Sequence, residues 1–232
     1  MELIWEGMTE AIRLLLRGDP GVVEIMLLSL QLSGLATLVA LALGVPAGTV
    51  LAFNRFPGRG ILVSLVNTGM GLPPVVVGLF VSIMLWRSGP LGMLELLYTP
   101  GAIVAAQFVI ALPVVTGLTM AALQQVDPKL RLQLQSLGAS RLQMLSVLLW
   151  ETRLPVLAAV MAGFGAVISE VGAVMMVGGN ILGYTRVLTT ATVLETRKGN
   201  FDVAIALSLI LLGISFAITL LLTHVQQRGA AR

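Results

Sequence analysis

The 232-residue chain has no cysteine and one histidine, His224. Disulfides and thiolate metal sites are therefore excluded, and one imidazole with scattered carboxylates is too few ligands for a hydrolytic metal centre. Lysine is scarce too. Lys129 follows a proline and Lys198 precedes a glycine, so neither ends a glycine-rich phosphate-binding turn. Nothing in the chain is equipped to hydrolyse ATP, and no metal or other cofactor is expected. Nucleophilic catalysis would need a base beside a serine or threonine, and His224 lies at the end of the last apolar run, where an interfacial role suits it. Charged residues make up only 11% of the chain, against about 25% in a soluble domain. The net charge of +3 is dispersed, and no basic stripe with interleaved aromatics points to nucleic acid.

Apolar residues are abundant, at 57%, with a mean hydropathy of +0.98. One soluble core cannot hide that much apolar surface, so lipid is the expected solvent. Long apolar runs cover residues 22–53, 61–86, 101–123, 146–177 and 203–223. Each is long enough to span a bilayer, and without water each must be helical. This predicts an all-α integral membrane protein with about five spanning helices over residues 21–224 and a tail over 225–232. Residues 1–20 place Glu2, Glu6 and Glu10 where a cleaved signal peptide would be basic. Leu3, Ile4, Met8, Ile12, Leu15 and Leu16 recur there at helical spacing, which predicts an interfacial anchoring helix.

An odd number of spans places the termini on opposite sides. With the C-terminus inside, Arg55, Arg59, Lys129, Arg131, Arg141, Arg153, Arg228 and Arg232 are cytoplasmic. Arg13, Arg17, Arg87, Arg186, Arg197 and Lys198 are then outside. That bias, clearest in the short acid-free loop "NRFPGRG", predicts a cytoplasmic C-terminus.

Helix breakers interrupt the first run at Pro46 and the second at Pro73 and Pro74. Two readings of the second stand: a kinked helix lining a pathway, or a packing kink where Gly69, Gly71 and Gly78 admit close neighbours. The polar segment 124–153 carries an Asp127-Pro128 helix start. Its pattern predicts a helix from 128 to 137, a stop at Gly138, and a second helix over 140–149 with Leu142, Leu145 and Leu149 on one side. Two short helices bent at a glycine make a knob. Within "ISEVGAVMMVGGNI", Glu170 is a lone carboxylate in apolar surroundings. It has two readings: a structural acceptor at a helix bend, or a gate. Gly172, Gly178 and Gly179 are expected to mark close dimer packing and the turn out of the fourth span.

The knob "SLGASRLQ" resembles the coupling segment of ATP-binding-cassette importer permeases, although Leu132, Gln133 and Leu134 replace the family's glutamate-alanine-alanine. "GLPPVVVGLF" is similar to the matching motif of molybdate and tungstate permeases, and "ISEVGAVMMVGGNILGYTRVLTTATVLETRKGNFD" to tungstate permeases in particular. The resemblance implies the type I, MetI-like importer fold, working in the cell inner membrane as a homodimer with a separate ATPase subunit and an extracytoplasmic tungstate- or molybdate-binding protein. It implies ATPase coupling through segment 127–145, with Leu137, Gly138, Ala139, Ser140 and Arg141 as the docking knob. Pathway or gate candidates are Pro73, Pro74, Ser169, Glu170, Gly178, Gly179 and Asn180. A tetrahedral dianion needs weak sites to move on. Ser64, Asn67, Thr68, Ser82, Thr116, Thr119 and Ser169 are candidates for a weak polar lining. The outer stretches "NILGYTRVL" and "RSGPLGMLELLYTP" are expected to receive the binding protein. The alternatives are a permease for another oxyanion such as sulfate, and a secondary carrier or channel. No internal repeat supports a carrier.

Overall fold

The computed structural model describes residues 2–230; the side chains of residues 2–4, 15, 229 and 230 lie outside that description, and with them the expected positions Leu3, Ile4 and Leu15. Among the described residues there are helices and no strands. They are α1 (Glu2–Arg17), α2 (Pro20–Phe53), α3 (Arg59–Met70), α4 (Pro74–Leu85), α5 (Pro100–Gln124), α6 (Pro128–Ser136), α7 (Arg141–Glu151), α8 (Arg153–Ile168), α9 (Gly172–Gly178), α10 (Leu188–Lys198) and α11 (Phe201–Ala230).

Three helices, α2, α5 and α11, are long and apolar enough to cross a membrane alone. The second apolar run is two 12-residue helices, α3 and α4, meeting at 108°. Each is about 18 Å long, too short to cross by itself. Pro74 starts α4 in its first turn, where the missing N–H has no helical partner in any case. It initiates a helix rather than breaking one; the break lies at Gly71-Leu72-Pro73. Of the three glycines expected at a packing kink, Gly69 and Gly78 meet other helices and Gly71 does not. A Cβ on Gly69 would lie 2.8 Å from Pro113 Cβ of α5, and one on Gly78 would lie 2.6 Å from Ala173 Cα of α9.

The fourth run is divided twice. α7 and α8 bend by 67° at Thr152, and α8 and α9 are separated at Ser169-Glu170-Val171. The bundle therefore has three unbroken spans, or five if each bent pair counts as one.

The central packing is α2 against α5. Gly44 and Gly48 bring the backbones together: a Cβ on Gly48 would lie 2.6 Å from the Thr116 carbonyl oxygen. Small residues at such crossings allow the dispersion contacts that hold helices together in lipid, where no hydrophobic force does so. Around this pair, one apolar cluster joins Leu32, Val77, Val81, Ile103, Val174 and Val177 across α2, α4, α5 and α9.

Beyond the expected amphipathic helix, α1 packs on α11. Ala11 is buried, and Gly7 meets Ile205 and the Asp202 carbonyl. Trp5, Ile12 and Leu16 remain exposed on another face. At the other end, helix α11 continues through residues 225–230, and Gln226 Nε2 donates to the Leu154 carbonyl of α8 (3.3 Å). Residues 231–232 lie outside the described residues.

Candidate functional site

The candidate residues fall in three places along the bundle: the knob, the α8–α9 break, and the far end of α9.

The knob is built from local rules. Asp127 Oδ1 accepts from Lys129 N–H (2.8 Å) and starts α6, with Pro128 in the first turn. Gly138 stops it with φ +75°, a left-handed conformation that glycine adopts without a Cβ clash. Ser140 and Gln143 then form a reciprocal capping box at the start of α7. α6 ends at Ser136 and α7 begins at Arg141, within one residue of the sequence boundaries. α7 turns differently from expectation. Leu148 is its buried residue, Leu145 is half-buried, and Leu142 is 79% exposed. At the apex Leu137 is 82% exposed. Two leucines are thus bare on this polar protrusion. The knob leans on the end of α2 across a cavity of about 580 Å³ lined in part by Thr49, Phe53, Arg131 and Arg141, with the Arg131 guanidinium 4.6 Å from the Phe53 ring centroid.

The α8–α9 break carries Glu170, which is 9% exposed. Its Oε1 accepts from Ala173 N–H (2.9 Å), its backbone N–H donates to the Val167 carbonyl (3.2 Å), and its carbonyl accepts from the Thr189 hydroxyl (2.9 Å). The carboxylate thus satisfies one of the orphan donors at the start of α9. Ser169 is exposed, and its hydroxyl donates to the Gly165 carbonyl (2.8 Å). Pro73 and Pro74 stand nearby, since a Cβ on Gly172 would lie 2.7 Å from Val75 Cγ2.

Gly178, Gly179 and Asn180 lie a helix-length away at the other end of α9. Gly179 (φ +68°) and Asn180 (φ +54°) reverse the chain in two successive left-handed residues. The loop is then tied down. Buried Thr185 donates to the Gly178 carbonyl (2.6 Å) and accepts from Ile181 N–H (2.9 Å), while Arg186 Nε donates to Asn180 Oδ1 (3.2 Å). Tyr98 N–H donates to the Val177 carbonyl (2.8 Å), joining the 87–100 stretch to the same end. The glycine expectation needs correction. Gly172 and Gly178 face Val75 and Ile103 of their own chain, so their close packing is within the protomer.

The lining candidates also separate. Ser64, Asn67 and Thr68 are exposed on α3, a helix with no buried residue. Ser82 is half-buried beside a cavity of about 560 Å³ shared with Trp86, Tyr98 and Met176. Thr116 and Thr119 are instead buried where α2 approaches α5 at Gly44 and Gly48. Thr116 borders a mostly apolar cavity of about 530 Å³ between α2, α3 and α5, and Thr119 is fully enclosed. Helices α4, α5 and α9 contain no Lys or Arg. Among the described residues no cluster of His, Cys, Asp or Glu could hold a metal ion.

Sequence reasoning passed over Gln107. It is 3% exposed in the middle of α5, and its Nε2 donates to Ser33 Oγ (3.2 Å) and to the Val167 carbonyl (3.0 Å). The available signal was an amide alone in the apolar run "AAQFVIALP".

Comparison with known proteins agrees with this architecture. Residues 44–229 match the family described as the binding-protein-dependent transport system inner membrane component. The chain is 39% identical over 227 residues to the tungstate uptake system permease protein TupB of Peptoclostridium acidaminophilum, covering 98% of this chain and 100% of that one. It is 40% identical to a probable anion ABC transporter permease protein of Haloferax volcanii (90% and 93% covered), and 31% identical to the molybdenum transport system permease protein ModB of Escherichia coli (90% and 96%). A bacterial ABC transporter importing the acidic polysaccharide alginate has the same fold, with TM-score 0.73 and 20% identity over 89% of this chain and 79% of that one. A family match over most of the chain and full-length relatives lead to one conclusion: the chain belongs to the family of inner membrane components of binding-protein-dependent transport systems.

Proposed function

We propose that the chain is the permease subunit of an ATP-driven tungstate importer, working as a homodimer in the inner membrane with its C-terminus in the cytoplasm. The observation that carries the substrate assignment is the full-length similarity to a tungstate permease at 39%, against 31% for a molybdenum permease. The geometry supports the rest. α3 has no fully buried residue in the protomer, carries exposed apolar Ile61 and Leu65, and also presents polar Ser64 and Asn67. A second copy would cover the former and leave the latter facing a pathway. Hydroxyls and amides without a fixed cation suit a dianion that must pass rather than stay.

The knob at Leu137, Gly138, Ala139, Ser140 and Arg141 docks on the ATPase subunit, and its exposed leucines enter a cleft there. At the opposite end, Met93 (86% exposed) and Leu182 (66% exposed) belong to the surface that receives a loaded binding protein. ATP binding draws the two knobs together, the spans rock, and the pathway opens outward; hydrolysis reverses the motion. Pro73, Pro74, Ser169 and Glu170 lie at the bends about which such rocking occurs, and Gly178, Gly179 and Asn180 at its outer margin.

The test is ATP hydrolysis by the reconstituted importer with its binding protein and each of three anions. Tungstate is expected to stimulate most, molybdate less and sulfate least. Strongest stimulation by sulfate would overturn the substrate assignment.

A further inference from the structure

Glu170 sits on a closed circuit of buried hydrogen bonds that joins four helices. Starting from α2, Ser33 Oγ accepts from Gln107 of α5, and the same amide nitrogen donates to the Val167 carbonyl near the end of α8. That carbonyl also accepts from Glu170 N–H, and the Glu170 carbonyl accepts from Thr189 in the first turn of α10. The neighbouring Leu188 N–H donates to Ser29 Oγ (2.8 Å), which returns the circuit to α2 one turn before Ser33. The amide orientation follows from chemistry: a carbonyl only accepts, so the nitrogen of Gln107 must face Val167. Among the described residues no group donates to its buried Oε1.

This arrangement has two properties. Every link in it is nonlocal or lies at a helix end, so moving α2 or α5 relative to α8 must strain or break it. The unpartnered Oε1 also makes the described arrangement incompletely satisfied, so a state that supplies a donor to that oxygen competes with it. On the functional reading above, we propose that Gln107 is a positioning residue of the transport cycle. It holds the α8–α9 break, and with it Glu170, in one arrangement, and exchanges partners when the spans rock. It acts through Val167 and needs no contact with the anion.

The test uses the complete importer reconstituted with binding protein and ATPase. Gln107→Leu keeps the side chain's approximate volume and removes both bonds; Ser33→Ala removes one. Both variants are expected to co-purify with the ATPase and to hydrolyse ATP at the wild-type rate. Tungstate taken up per ATP is expected to fall about tenfold in Gln107→Leu, the most that one net buried hydrogen bond is worth, and about threefold in Ser33→Ala. A purely structural role would lower the yield of assembled importer and leave that ratio unchanged. Because the chain has no cysteine, spin labels on A162C and L182C report the geometry across the break directly. In importers assembled from one doubly labelled and one unlabelled permease copy, their distance distribution is expected to be single in the wild type without nucleotide and broadened in Gln107→Leu. A wild-type ratio together with an unbroadened distribution in Gln107→Leu overturns the proposal. If wild-type importer takes up no tungstate, the functional reading fails on its own, and the label distances alone decide the role of Gln107.

Discussion

The knob around Gly138 and the break around Glu170 both interrupt helices, but they are held in opposite ways. The knob is closed by contacts within a few residues: Asp127 on Lys129, Ser140 on Gln143, and a left-handed glycine. It is exposed at its apex and leans on the body through one side of α7. The break has local bonds of its own at Glu170, but it is tied to the rest of the bundle by partners far away in sequence, with Gln107 reaching Val167 and Thr189 reaching Glu170, and Glu170 is buried although Ser169 is exposed. A locally closed element keeps its shape while moving as a body, which suits a part that transmits force from another protein. An element closed by several helices changes only when those helices move, which suits a part that senses their arrangement.

Predictions that break this comparison run from large to small. Deleting residues 136–142 should leave membrane insertion intact and abolish co-purification with the ATPase, because the deletion removes the exposed apex without touching the bundle. Recovery of the ATPase at wild-type yield would remove the knob from the coupling role. At the break, Glu170→Ala strips the acceptor from Ala173 N–H and should cost about 1–3 kcal/mol, read as a lower melting temperature of the assembled importer. Glu170→Gln keeps an acceptor oxygen and should retain both assembly and uptake. Intact assembly with lost uptake in Glu170→Gln would instead show that the charge itself acts as a gate.

The smallest effect is expected outside the membrane, at the turn between α10 and α11. There Glu195 accepts from Lys198 Nζ (2.8 Å) and Asn200 Nδ2 (2.7 Å), and these bonds, that from Lys198 foremost, hold its carboxyl below the usual glutamate value. A depressed carboxylate stabilises the fold above its unfolded value of 4.5, and the gain disappears as pH falls through the lower folded value. Lys198 is half-exposed, so screening limits the contribution to about 0.5 kcal/mol. Glu195→Gln should lower the melting temperature slightly at pH 7 and not at all below the folded value. An equal loss at both pH values would assign the effect to packing instead of charge.

The contrast also explains what was legible in the sequence. Capping residues and glycine punctuation are local signals, so the helices on either side of Gly138 could be read with boundaries good to one or two residues. Apolar length located the five runs, and Pro73 and Pro74 marked a kink in the second, but not its size. The 108° turn sets Gly69 against Pro113 and Gly78 against Ala173, and those contacts join separate helices. Hydroxyls in apolar runs looked equivalent in sequence. Only the packing of α2 on α5 separates buried Thr116 and Thr119 from exposed Ser64, Asn67 and Thr68. Gln107 was visible as an isolated amide, yet its role depends on residues 60 and 74 positions away.

The central claim is that this bundle carries tungstate when an ATPase acts on the knob. Uptake of labelled tungstate into proteoliposomes containing the permease, the ATPase and the binding protein tests it most directly, with wild-type chain beside the 136–142 deletion. The account predicts ATP-dependent accumulation with the wild type and none with the deletion. Accumulation that persists in the deletion, or that needs no ATP, would contradict it.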